Sequence, residues 1–185
     1  MKEFEERIFQ IKKIENQNMK YTLITLVSVL FFVGTSYSQN PLPVGKAQLN
    51  LGIGFSNSGI PIYGGFDFGV AKNITLGGEV SYRSYNENWK SNSYHHNVLG
   101  ISANGNYHFN TLLDIQEKWD VYAGLNLGFY SWNSPSDYDG DHSSGVGLGA
   151  QVGARYYVSN KLGLNLEFGG GNEFSGGKFG LTFRL

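Results

Sequence analysis

From about residue 46 to the C-terminus, apolar residues alternate with small or polar ones so regularly that nearly every segment reads as a two-faced strand. In 119–131, Trp119, Val121, Ala123, Leu125, Leu127 and Phe129 alternate with Asp120, Tyr122, Gly124, Asn126, Gly128 and Tyr130. In 146–158, Val146, Leu148, Ala150, Val152, Ala154, Tyr156 and Val158 alternate with Gly147, Gly149, Gln151, Gly153, Arg155 and Tyr157. The same pattern covers about 47–55, 60–70, 74–83, 98–109, 162–169 and 178–185, which predicts eight strands and an all-β fold. No amphipathic helical pattern competes with it in this part of the chain.

Alternation alone does not say which face is inside. A soluble barrel of the lipocalin kind would turn its apolar face inward and its polar face to water. Here the polar face is built mainly of glycine with Asn50, Ser102, Asn104, Asn106, Asn126, Asn165 and Thr182 between. A water-facing surface wants about 25–35% charged residues; this chain has 16% charged residues and 26 glycines in all. Such a face suits a crowded lumen, and the other face is Leu, Ile, Val, Phe and Ala, as lipid requires. Apolar-out, polar-in alternation with closed backbone pairing defines a transmembrane β-barrel. With no cysteine there is neither a disulfide framework nor a thiolate metal site, and a net charge of −1 argues against nucleic-acid binding.

Length fixes the strand number. A sixteen-stranded porin needs about 150 residues in strands alone, which leaves nothing for connections here. Eight antiparallel strands in up-and-down order fit, with both termini on the inner side. Tight inner turns fall near Lys72-Asn73 and Ser159-Asn160-Lys161, and longer polar outer loops near 84–97, 131–144 and 170–177. Two connections depart from that asymmetry: Asn110 to Lys118 is a long inner turn, and Ser56 to Gly59 a short outer one.

The first forty residues read differently. Met19-Lys20 leads into the uncharged stretch Tyr21 to Gly34, followed by Ser36-Tyr37-Ser38. A basic start, a short apolar core and a small-residue site make a cleavable secretory signal over 19–38, too short to span a bilayer as a helix. Residues 1–18 read as a misannotated extension before the true start at Met19, with an uncleaved anchor as the rival reading. Residues 39–45 are then a periplasmic linker, and 46–185 the barrel.

Aromatic residues suggest two girdles. Trp119 and Trp132 stand at opposite ends of one strand, about 33 Å apart along the membrane normal at ordinary rise and tilt. Tyr82, Tyr85, Tyr94 and Tyr130 would join the outer girdle, and Tyr107, Phe109, Tyr156 and Phe183 the inner one. The polar face also carries Asp67, Glu79, Asp120 and Glu167 against Arg83, Arg155, Lys178 and Arg184. Opposite charges sharing one narrow interior should pair. Counting up from the inner turns puts Glu79, Arg155 and Glu167 near mid-barrel, with Asp67 and Arg184 lower.

With its signal peptide, its glycine-rich two-faced strands and its closing strand Lys178-Phe179-Gly180-Leu181-Thr182-Phe183-Arg184-Leu185, the chain resembles the small outer-membrane β-barrel proteins related to OmpX and the OmpA transmembrane domain. It looks most like the porin-family barrels of the Bacteroidetes. That resemblance implies an integral protein of the bacterial outer membrane, exported through the periplasm. Its implied partners are outer-membrane lipids and lipopolysaccharide, and periplasmic chaperones and the barrel-assembly machinery during biogenesis. Family members commonly end in an aromatic residue; here Leu185 is last and Phe183 lies two residues earlier on the same face.

Candidate chemistry is thin. Asp137, Asp139 and Asp141 cluster as hard cations like them, but the segment lacks the EF-hand's glycine and final glutamate. Adjacent His95 and His96 point to opposite faces of a strand. His142 and Ser144 loosely resemble the His-x-Ser of outer-membrane lipid A deacylases, without an acid to orient the histidine. No cofactor is implied. The expectation is a non-enzymatic barrel with a side-chain-plugged lumen, serving envelope structure or surface interaction through its outer loops. A passive channel for ions or very small solutes and a membrane-embedded lipid A hydrolase are the alternatives.

Overall fold

In the computed structural model, which describes residues 41–56, 59–89, 92–135 and 144–185, the chain is a closed antiparallel barrel. Its strands are β1 (Ala47–Ser56), β2 (Ile62–Ala71), β3 (Ile74–Trp89), β4 (Asn92–His108), β5 (Trp119–Asn133), β6 (Gly145–Tyr157), β7 (Leu162–Gly171) and β8 (Ser175–Arg184). Each strand pairs with the next, and β8 pairs with β1 from Gln48↔Arg184 to Ser56↔Gly176, so no edge is left between them. The signal segment 19–38, residues 1–18, Asp137, Asp139, Asp141 and His142 all lie outside the described residues.

Outward positions are apolar around the whole circumference: Leu49, Leu51 and Ile53 on β1, Phe66 and Phe68 on β2, and Leu125, Leu127 and Phe129 on β5 are all exposed. Inward positions are polar and buried, among them Gln48, Asn50, Asp67, Thr75, Asn106, His108, Asp120, Gln151, Arg155, Asn165 and Thr182. Val152 is 57% exposed and its neighbour Gln151 5%. A soluble barrel would have these faces reversed.

Glycine serves the interior by leaving room. A Cβ on Gly153 would run into the ring of Tyr122, which lies over it from β5. At the inner mouth a Cβ on Gly69 would strike the Pro43 carbonyl. There residues 41–46 fold back onto the barrel: the Gly45 amide donates to the Gly69 carbonyl (2.8 Å), the Gly69 amide donates to the Lys46 carbonyl (2.9 Å), and Leu42 is buried.

Two expected outer loops are strand. β3 and β4 continue in register from Ser84↔Asn97 to Trp89↔Asn92, so 84–97 is mostly a hairpin. Its outward residues Ser84, Asn86, Ser93, His95 and Asn97 are polar, whereas Tyr85, Tyr94 and His96 turn inward. Beyond the lipid the outer face meets water, so the apolar half of the alternation vanishes although pairing persists. Likewise β7 and β8 stay paired up to Gly170↔Ser175, leaving a short turn where 170–177 was expected to loop. The two expected inner turns do close tightly, Asn73 taking the left-handed conformation (φ 65°) that asparagine tolerates.

Candidate functional site: the interior of the barrel

The eight charged residues expected to share the lumen occupy several levels. In the inner half, Arg155 on β6 reaches across to Asp67 on β2, the opposite wall (Nη2 to Oδ2, 2.7 Å), and to its cross-strand partner Asp120 on β5 (Nη1 to Oδ2, 3.1 Å). Asp67 Oδ2 also accepts from Gln48 Nε2 and Asn50 Nδ2, each at 2.9 Å. The other Asp120 oxygen faces His108 Nδ1 at 2.7 Å, and because a carboxylate only accepts, Nδ1 carries the hydrogen. His108 Nε2 in turn meets Thr75 Oγ1 at 3.0 Å. Tyr157 donates to Gln48 Oε1 (2.9 Å) and Thr182 to Asn50 Oδ1 (2.7 Å), extending the network to β1 and β8. Arg155 is 2% exposed. A charge that deep is tolerable only with partners of this quality.

Farther out, Lys178 on β8 donates to both oxygens of Glu79 on β3 at 2.8 Å and lies 3.2 Å from Glu167 on β7. Tyr122 joins the two levels: Arg155 sits 4.2 Å over its ring while its hydroxyl donates to Glu167 Oε2 at 2.8 Å. The remaining two cations stand near the ends, each with its guanidinium 3.7 Å from a ring centroid, Arg83 over Phe174 and Arg184 over Tyr157. Arg155 was expected near mid-barrel but belongs to the inner group. Tilted, staggered strands do not carry residue count into height, and direct pairing with Asp120 sets its level.

The outer half is looser. Glu79, Lys178, Glu167, Ser81, Asn104 and Asn126 help line a cavity of about 100 Å³, together with apolar groups such as Phe55, Tyr130 and Phe174. Above it, Phe174 from the β7–β8 turn stacks on Trp132 (5.7 Å) and meets Tyr130 edge-on (4.9 Å). Tyr85 and His96 adjoin Trp132 at 6.3 and 6.4 Å. Trp132 and Tyr130, expected in the lipid-facing girdle with Tyr85 and Tyr94, therefore face inward. Trp119 and Trp132 are an odd number of residues apart, and a strand puts such positions on opposite faces. The outward set is Tyr82, Tyr107, Trp119, Tyr156 and Phe183, with Trp119 against Tyr156 at 4.9 Å.

Thr75, His108 and Asp120 stand in the order hydroxyl, imidazole, carboxylate, as a nucleophilic relay would. All three are shut inside the inner half, and the outer cavity does not extend to Thr75. Ser144 accepts the backbone amide of Trp132 (2.9 Å). Sequence reading passed over His108, Tyr157 and Phe174. The first two were findable, because His108 shares the parity of Asn104 and Asn106, and Tyr157 that of Arg155.

No protein-family profile matches the chain, and no curated protein matches it. Solved structures do. The outer membrane protein OprG of Pseudomonas aeruginosa superposes with a TM-score of 0.58 at 9% identity, covering 78% of this chain and 97% of that one. The N-terminal β-barrel domain of Pseudomonas aeruginosa OprF gives 0.52 at 16%, covering 77% and 98%. Ail, the attachment invasion locus protein of Yersinia pestis, in complex with the heparin analogue sucrose octasulfate, gives 0.50 at 11%, covering 77% and 100%. At such identities the likeness is one of fold. The chain has the fold of the small eight-stranded barrels of the Gram-negative outer membrane, and its outer face is built for lipid.

Proposed function

We propose that this is a non-enzymatic outer-membrane barrel whose lumen is plugged by its own side chains, and that it works through the surface it presents outside the cell. The observation that carries the reading is Arg155, which spans the lumen between Asp67 and Asp120 on well-separated strands. Tyr157 to Gln48 and Gln151 Nε2 to Asn106 Oδ1 (2.8 Å) cross the same interior. An interior of eight strands is just wide enough for side chains to fill. What extends beyond the lipid is the β3–β4 hairpin with the end of β5, whose outward residues Ser84, Asn86, His95, Asn97 and Ser131 are polar. In this reading the chain is exported with cleavage before Gln39, delivered by periplasmic chaperones to the barrel-assembly machinery, and surrounded by phospholipid and lipopolysaccharide.

Liposomes containing the purified barrel test the reading. They should not swell in iso-osmotic small sugars or amino acids, and lipid A from expressing cells should keep its acylation pattern. Solute-dependent swelling would favour the passive channel, and loss of acyl chains the lipid A hydrolase.

A further inference from the structure

The long inner connection between β4 and β5 is ordered, and it displays its two leucines. Residues 110–113 form a single helical turn in which the Leu113 amide donates to the Phe109 carbonyl (2.9 Å). Asp114 then takes a left-handed conformation (φ 49°), and the Ile115 amide donates to the Asn110 carbonyl (3.0 Å), the hydrogen bond of a Schellman-type stop. Asn110 clamps the base: its Nδ2 donates to the Trp119 carbonyl and its Oδ1 accepts the Val121 amide. Thr111 Oγ1 donates to Asn73 Oδ1 in the neighbouring inner turn (2.8 Å), tying the connection sideways along the rim.

Order of this kind would ordinarily hide apolar side chains. Here Leu112 is 66% and Leu113 63% exposed. Both feet of the turn are the inner aromatic girdle: Tyr107 packs on Phe109 (5.2 Å) at the end of β4, and Trp119 on Tyr156 at the start of β5. Tyr107 and Trp119 are themselves outward and exposed, so the turn that carries the exposed leucines springs at both ends from the lipid-facing surface. The other two inner turns are Lys72-Asn73 and Val158-Ser159-Asn160-Lys161, and the one apolar residue they hold, Val158, is half-buried.

We propose that the 110–118 turn is an interfacial foot, seating Leu112 and Leu113 among the acyl chains of the phospholipid leaflet that faces the periplasm. Apolar side chains held beside an aromatic belt insert into the headgroup–acyl boundary. The foot would fix the depth of the β4–β5 side of the barrel in its membrane, a role separate from whatever the lumen does.

The chain has no cysteine, so single-site labelling is clean. An uncharged environment-sensitive fluorophore is attached at Leu112→Cys, Leu113→Cys, Lys72→Cys and Val152→Cys, each in the full barrel reconstituted in phosphatidylethanolamine–phosphatidylglycerol vesicles. Val152→Cys reports lipid contact at the outer wall, and Lys72→Cys reports water at another inner turn. The labels at Leu112 and Leu113 should be quenched by acyl-chain nitroxide lipid at least half as strongly as at Val152, and by aqueous iodide several-fold less than at Lys72. If both leucine sites behave like Lys72 while Val152 still reads lipid, the foot is wrong and the leucines face the periplasm, free for a protein partner. If Val152 also reads water, the membrane reading of the outer face fails instead.

Discussion

Arg155 and Lys178 each stand between two carboxylates inside one barrel, yet the first is 2% exposed and the second 33%. Around Arg155 further protein donors hold the carboxylates: Gln48 and Asn50 both reach Asp67 Oδ2, and His108 reaches Asp120 Oδ1. Lys178 and both of its carboxylate partners instead line the adjacent cavity. The inner half thus meets the cost of charge burial with protein groups, whereas the outer half keeps its charges beside a cavity that water can enter, so losing one partner should cost more in the inner half.

The largest expected effect lies in the inner half. Arg155→Ala leaves Asp67 and Asp120 facing each other without a cation, which should cost about 3–5 kcal/mol in a dry site, read in a reversible urea titration in lipid. A loss near zero would mean that water already fills the inner half and that the contrast between the halves is false. Next comes the assignment of the faces on which the contrast depends. Val152→Arg puts a charge into mid-membrane lipid and should cost about 2–4 kcal/mol, while Gln151→Arg, one residue away and facing the lumen, should cost less. The opposite ranking would turn the barrel inside out.

Lys178→Met sharpens the comparison from the other half. Glu79 and Glu167 lose their cation but keep access to the cavity, so the loss should be about 1–2 kcal/mol, clearly below that of Arg155→Ala in the same titration. Equal losses would erase the difference between wet and dry levels. Smallest of all, Tyr82→Phe removes an exposed hydrogen bond to Asn97 at the lipid boundary (2.8 Å) and should cost about 0.5 kcal/mol. A shift of several degrees in thermal unfolding would show that boundary to be drier than drawn.

Strand number and facing were legible because lipid and lumen impose opposite demands on successive residues, as in Leu125-Asn126-Leu127-Gly128. The pattern failed where one demand lapsed. Beyond Tyr82 and Leu99 the outer side meets water, so β3 and β4 ran on without their apolar signal. Trp132 was misread by composition, since tryptophan suggests a girdle although its parity with Tyr122 and Tyr130 points inward. Which charges meet was less legible still. The reach of Arg155 to Asp67 depends on how tilted strands bring β6 and β2 level across the lumen, and Phe174 acquires its place over the outer mouth from a turn with no alternation to read.

Planar-bilayer conductance of the wild-type barrel and of Arg155→Ala tests the plugged lumen most directly. The structure predicts negligible current through the wild type and a measurable rise when the arginine that joins Asp67 to Asp120 is removed. A large, steady wild-type conductance that the substitution leaves unchanged would contradict the plug and make the protein a channel.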